Sequence, residues 1–258
     1  MEEEVSSERR PQELQRIGNG HLPDHPSLHP IVPDKIVYTH TRLVTLSPAR
    51  LRERRVIAAV EEGPLTEAYK ILRTQVMLRM RENEWNLLGI TGPGPGAGST
   101  LTAANLAVSL AREVRQTVLL VDAHLRHPAV HQLFGIAESP GLVDHLLDHK
   151  PVEDLLVHPG LPRLVLLPAG RAVRSSSELL TSPPMLTLIS ELKNRYASRI
   201  VLFDLPPLLP TDDVLALSPY LDAMLLVIEA GRTQTEEIIQ SLHLLKGVPV
   251  VGTVLNKG

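Results

Sequence analysis

A short apolar run, Leu87-Leu88-Gly89-Ile90, opens into Thr91-Gly92-Pro93-Gly94-Pro95-Gly96-Ala97-Gly98-Ser99-Thr100, and a helical pattern begins at Leu101. Strand, glycine loop and helix in this order constrain the fold strongly. Glycines let successive backbone N–H groups turn toward one point, and the positive end of a helix adds to them, so the segment forms an anion cradle. The usual phosphate loop closes with Gly-Lys-Ser/Thr, its lysine reaching the terminal phosphates and its hydroxyl binding magnesium. Gly98 and Thr100 stand in register with that ending, but Ser99 occupies the lysine position. Gly94, Gly96, Ala97, Gly98, Ser99, Thr100 and Leu101 are therefore the expected nucleotide-binding residues.

Beyond the loop, apolar runs and helical patterns alternate. Val118–Val121 ends in Asp122 and Ile200–Phe203 ends in Asp204, with further runs at Leu164–Leu167, Met224–Ile228 and Val250–Leu255. Helical patterns span Leu101–Arg115, Met185–Tyr196 and Thr235–Leu245, and Leu65, Tyr69, Leu72, Val76 and Met80 repeat at helical spacing from Pro64 onward. Continuous rather than alternating apolar strands indicate a sheet buried on both faces. The expected fold is α/β, a doubly wound and mostly parallel sheet flanked by helices. Such sheets place ligands at strand carboxyl ends, where the glycine loop, Asp122 and Asp204 all fall. A carboxylate leaving a buried strand beside a phosphate loop suits magnesium, with Thr100, Asp122 and Asp204 as the expected ligands and the two aspartates as catalytic candidates. Either aspartate alone could instead cap the loop that follows it.

Residues 1–55 carry little apolar periodicity, and Pro23, Pro26, Pro30 and Pro33 interrupt them, so a disordered leader is expected there and a single domain over 56–258. Arg50, Arg52, Arg54 and Arg55 form a basic knot at its end, read as a solvated linker, with contact to acidic lipid or a partner as the alternative. The net charge of −3 argues against nucleic-acid binding, and the absence of cysteine excludes disulfides, thiolate zinc sites and iron–sulfur clusters. The start Met1-Glu2-Glu3-Glu4 has no signal-peptide character, and the apolar runs are far short of the roughly 18 residues that span a bilayer. A cytoplasmic location is expected, with membrane contact only through a partner. His124, His127 and His131, and the i,i+4 pair His145 and His149, are read as surface histidines rather than metal ligands.

At these motifs the chain resembles the cytoplasmic domain of bacterial tyrosine kinases (BY-kinases), which regulate exopolysaccharide and capsule assembly. The resemblance covers about residues 64–258. Gly94–Thr100 matches the family's Walker A segment, Asp122-Ala123-His124-Leu125-Arg126-His127-Pro128 its second acidic motif, and Phe203-Asp204-Leu205-Pro206-Pro207 its Walker B. Leu167–Arg171, Glu178–Ser182 and Val254–Lys257 are similar to the branch found beside exosortase-type polysaccharide clusters. The resemblance implies a P-loop NTPase fold of the MinD/ParA kind, ATP and magnesium as cofactors, a membrane polysaccharide co-polymerase as partner, and a homo-oligomer. The oligomer would form through Glu67, Lys70 and Arg73, which match a Glu-x-x-Arg-x-x-Arg helix with lysine in the middle.

Three departures qualify what it implies. The Walker lysine is Ser99, the second acidic position is His124, and the four tyrosines, Tyr38, Tyr69, Tyr196 and Tyr220, are dispersed rather than clustered in a tail. Losing a charge-assisted lysine–phosphate bond weakens binding by about 1.5–3 kcal/mol, and losing such a donor costs about 10²–10³ in transfer rate. Weak ATP·Mg binding and impaired phosphoryl transfer are therefore expected of a polysaccharide regulator. An active autokinase of the same system is the alternative, and a MinD/ParA-like positioning ATPase is a third reading. The third lacks the lysine that such proteins carry at the start of the loop.

Overall fold

The computed structural model describes residues 41–60, 62–113, 116–194 and 199–257. Among these residues, eight strands form one sheet in the order β1-β4-β5-β3-β6-β2-β7-β8. They are β1 (Arg42–Leu43), β2 (Leu87–Thr91), β3 (Thr117–Asp122), β4 (Val157–His158), β5 (Leu164–Leu167), β6 (Arg199–Asp204), β7 (Ala223–Glu229) and β8 (Val250–Asn256). The six strands from β5 to β8 in this order run parallel. Only β4, antiparallel to β5, and β1, which pairs with β4, break the rule. This is the mostly parallel, doubly wound sheet expected from the sequence.

Side chains of successive strand residues point to opposite faces, so a strand apolar at every position feeds two cores. In β3, Val118 and Leu120 enter one core while Leu119 and Val121 enter the other; in β6, Ile200 and Leu202 divide from Val201 and Phe203 in the same way. The first core is roofed by α2 (Pro64–Glu82) and α3 (Ser99–Ala111), through Val76, Met80, Leu106 and Leu110. Every residue of α3 from Thr102 onward is buried, because α2 covers the side that the sheet does not. The second core packs α5 (Leu142–Asp148), α8 (Pro183–Asn194) and α9 (Asp213–Leu217) through Leu142, Met185, Leu188 and Val214. Short helices α1 (Pro48–Glu53), α4 (Val130–Leu133), α6 (Val152–Leu155) and α7 (Ser176–Leu180) fill the connections, and α10 (Thr235–Leu244) joins β7 to β8.

The expected leader of residues 1–55 differs from what is found at its distal end. Residues 1–40 lie outside the described residues, but β1 pairs with β4 and α1 buries Leu51 in the first core. Only one apolar residue of α1 is buried, too few to leave a periodic signature, so packing rather than pattern defines this helix. The arginine knot thus lies on and just after a helix instead of on a linker.

Candidate functional site

Strand register assembles the site. Asp204 pairs directly with Asp122 on one side and with Ile90, the residue before Thr91, on the other. Three strands therefore end at one level, with the glycine loop beside both carboxylates. The loop is anchored from the β6 side. Thr91 Oγ1 donates to the Pro206 carbonyl at 2.6 Å, and the backbone N–H groups of Leu208 and Leu209 donate to Gly92 and Pro93 at 2.9 and 3.0 Å. Gly96 and Gly98 adopt φ of +85° and +90°, a left-handed conformation in which a side chain would be strained. A Cβ on Gly98 would also lie 2.2 Å from Asn256 Nδ2. Gly98 precedes α3, so Ser99, Thr100 and Leu101 form the first turn of that helix.

The two aspartates, both fully buried, differ in their partners. Asp122 Oδ1 accepts the His124 N–H at 3.3 Å, and Oδ2 accepts those of Ala129 and Val130 at 3.1 and 3.0 Å. Asp122 thus caps the loop leading into α4, the structural role considered for a strand-end aspartate, while remaining at the site. Burial still pushes its pKa up to about 7, against the pull of those three N–H donors. Among the described residues, neither oxygen of Asp204 has a hydrogen-bond partner. Burial and then the charge of Asp122 hold its pKa well above the ordinary carboxylate value; Thr100, close enough to lower it, closes no hydrogen bond.

A wholly buried carboxylate with both oxygens orphaned calls for a cation. No cluster of three His, Cys, Asp or Glu able to hold a metal alone occurs among the described residues. Magnesium at a nucleotide site needs only one or two carboxylates, with phosphates and waters completing its shell. Asp204, Asp122 and Thr100 fit that requirement.

His124, at the second acidic position, is half-buried. Burial first and the charge of His127 second lower its pKa to about 4, although Asp213 pulls it upward. It is a neutral imidazole at neutral pH and supplies neither the missing carboxylate nor a cation. Arg126, from the same motif, pairs with the fully buried Asp213 at 3.1 Å, and Ser176 Oγ donates to that carboxylate at 2.6 Å. This network ties the β3 loop to α7 and α9. Among the other histidines, His145 Nδ1 bonds the Lys150 carbonyl at 2.8 Å, and His149 ends α5 with φ of +54°.

Sequence reasoning missed a second group at the loop. Asn256 Nδ2 donates to the Ala97 carbonyl at 2.9 Å, and Lys257 Nζ donates to the Gly96 carbonyl at 2.8 Å. Glu229, at the end of β7, accepts from Lys257 at 3.0 Å and pairs with Arg232 at 3.5 Å. All lie at strand carboxyl ends or just beyond, which was the available signal.

The stripe Glu67, Lys70 and Arg73 lies on α2. Lys70 bonds Glu67 at 2.7 Å within the helix, while Arg73 turns onto the Ser109 carbonyl of α3 at 3.2 Å. Exposed Ile71 and Leu78 accompany it on α2. Of the four tyrosines, Tyr38 and Tyr196 lie outside the described residues, Tyr69 is largely covered, with its pKa raised by burial, and Tyr220 is exposed.

A glycine loop between a buried parallel strand and a helix, with two strand-end carboxylates beside it, defines a P-loop α/β nucleotide-site fold. No protein-family model matches the chain. It is 33% identical over 207 residues to the tyrosine-protein kinase YwqD of Bacillus subtilis, spanning 79% of this chain and 86% of that one. It is 34% identical over 199 residues to the EpsB protein of Ralstonia solanacearum, spanning 76% of this chain but only 26% of the relative. The kinase domain of the Escherichia coli tyrosine kinase Etk superposes with a TM-score of 0.69 at 31% identity, covering 74% of each chain. The chain belongs to the bacterial tyrosine-protein kinase family. The septum site-determining protein MinD of Pyrococcus horikoshii, with Mg-ADP, is 21% identical with a TM-score of 0.53 and shares the fold alone. The chain spans about a quarter of the length of the EpsB-type relatives.

Proposed function

We propose that the chain is a nucleotide-binding regulator of exopolysaccharide or capsule biosynthesis and export, with impaired phosphoryl transfer. The observation that carries this reading is the pairing of an intact cradle with altered charges. The loop, Thr100, Asp122 and the orphaned Asp204 stand together, whereas Ser99 and a neutral His124 replace a cation and a carboxylate. Thr100, Asp122 and Asp204 would hold magnesium, which when bound neutralises charge on the terminal phosphates. Backbone N–H groups of Gly94 and of residues 96–101 would bind the phosphates themselves; Pro95 has none to offer. Ser99 cannot neutralise the charge that spreads over a transferring phosphoryl group, so binding survives better than transfer.

No helix among the described residues is long and apolar enough to cross a membrane. The family resemblance supports a membrane co-polymerase as partner and self-association through Glu67, Lys70 and Arg73, with the chain held at the inner membrane only by that partner. Two tests apply. In the source cell, the Asp204→Asn variant should shift the length distribution of the secreted polysaccharide; a distribution unchanged both by this variant and by deletion of the gene refutes the regulatory role. In solution, Ser99→Lys should bind Mg·ATP about tenfold or more tightly than the native chain. Equal affinity would show that the loop is not limited by the missing lysine.

A further inference from the structure

The described residues hold a cation on the glycine loop that the motif itself does not provide. Lys257 follows β8 and has φ of +61°, a left-handed conformation uncommon for a residue with a side chain. Such strain persists where the surroundings over-determine it, often at ligand sites. With this backbone its side chain lies over the loop, with Nζ 2.8 Å from the Gly96 carbonyl. Asn256 beside it bonds the Ala97 carbonyl at 2.9 Å, so the two residues grip consecutive loop carbonyls immediately before Gly98 and Ser99. Arg232 Nη1 approaches within 3.6 Å of the point a Cβ on Gly96 would occupy. Between the two cations lies one carboxylate, Glu229, whose side chain is only 12% exposed. A second carboxylate, Glu237, lies farther along the rim, with Oε1 3.9 Å from the point a Cβ on Gly94 would occupy, so Lys257 is set apart by its direct bond to the loop rather than by a surplus of charge.

We infer that Lys257 supplies, from the end of β8, the phosphate-binding cation that Ser99 does not supply from within the loop. The inference rests on the nucleotide site proposed above. Lysine is a compact charge on a flexible four-carbon stem, and this side chain is 47% exposed, so its amine is free to exchange a neutral carbonyl acceptor for an anionic phosphate oxygen. That exchange replaces a neutral-acceptor bond by a charge-assisted one. The amine keeps its bond to Glu229 at 3.0 Å, and Arg232 offsets that carboxylate. The arrangement favours polyphosphate over monophosphate, because the cation sits on the phosphate loop itself. It serves binding; the position inside the first turn of α3, from which a Walker lysine follows the transferring group, remains a serine.

A bracing role for Lys257 on Gly96 and Glu229 predicts lost stability without phosphate selectivity, and calorimetric titration separates the two. ATP, inorganic pyrophosphate and AMP, each with magnesium, are titrated into the native chain, Lys257→Ala, Lys257→Arg, Arg232→Ala and the double variant Lys257→Ala/Ser99→Lys. Denaturant unfolding of each variant checks its fold. The expected result is a loss of about ten- to hundredfold in ATP and pyrophosphate affinity for Lys257→Ala, with AMP affinity little changed. Lys257→Arg should keep most of the affinity, and Ser99→Lys should restore it in the double variant. The inference fails, with the nucleotide site intact, if Lys257→Ala binds ATP like the native chain. It fails equally if that variant weakens all three ligands alike, if Ser99→Lys restores nothing, or if Arg232→Ala rather than Lys257→Ala carries the loss. A native chain that binds neither ATP nor pyrophosphate overturns both the site and the inference.

Discussion

Replacing Asp204 by asparagine should stabilise the chain in the absence of magnesium and abolish its response to Mg·ATP. Asp204 is fully buried, and both its oxygens lack partners among the described residues. Asp122, equally buried but helped by three N–H donors, rises from an ordinary 3.8 to about 7, which corresponds to about 4 kcal/mol against its charged form. Asp204 has no such donors among the described residues, and burial and then the charge of Asp122 hold its pKa well above the ordinary carboxylate value. An asparagine removes the charge but leaves a buried amide unsatisfied, at about 1–3 kcal/mol. Because burial disfavours the charged form of Asp204 so strongly, the expected net effect is a rise in stability and in Tm. The pH dependence has a definite sign. Both carboxyl groups are raised in the folded state, so between about pH 4 and 7 the folded chain holds protons that the unfolded chain has released. Their contribution to stability therefore falls as pH rises through that window, and the gain from Asp204→Asn should grow from pH 4.5 to 7.5. Urea unfolding in EDTA at several pH values measures this. With saturating Mg·ATP the order should reverse, since only the native chain gains ligand stabilisation. A variant less stable than the native chain at pH 7.5 without magnesium would refute the picture of a buried, partnerless carboxyl group awaiting a cation.

Three further outcomes follow from the same geometry. Gly98→Ala combines a left-handed φ with a Cβ 2.2 Å from Asn256 Nδ2, so it should lose about 1–3 kcal/mol of stability in urea unfolding and most of its ATP affinity in titration. Arg126→Ala leaves the buried Asp213 charge with only Ser176. Because Arg126 is a third exposed, the loss should be about 2–3 kcal/mol, below the ~3–5 of a wholly buried pair, again read by urea unfolding. His124 has a folded pKa of about 4, below its unfolded value, so its contribution to stability is lost as pH falls from about 6.5 to 4; His124→Gln should flatten that acid-side slope in thermal melts.

The core of the site was legible because its signals are local. The apolar runs before Thr91, Asp122 and Asp204 announce strands buried on both faces, and the glycines announce the loop. Their convergence needed only the rule that parallel strands end at one level, which the Asp122–Asp204–Ile90 register obeys. Contacts set by folding were not legible. Lys257 and Gly96 are 161 residues apart, and Arg126 and Asp213 are 87 apart, with no pattern linking them. Nor does a sequence disclose that Asp122 spends its oxygens on Ala129 and Val130 while Asp204 spends none. β1, two residues long, owes its existence to pairing with β4, and α1 shows only Leu51 to the core.

The central claim, a retained Mg·nucleotide site with phosphoryl transfer largely lost, is tested most directly by single-turnover transfer. γ-Phosphate-labelled ATP is bound to an excess of the native chain with magnesium, beside Ser99→Lys and Ser99→Lys/His124→Asp, and label on protein tyrosine and free phosphate is followed with time. The account predicts that the native complex keeps its ATP intact while the repaired chains turn it over about 10²–10³ times faster. Native transfer at the rate of the repaired chains would contradict it.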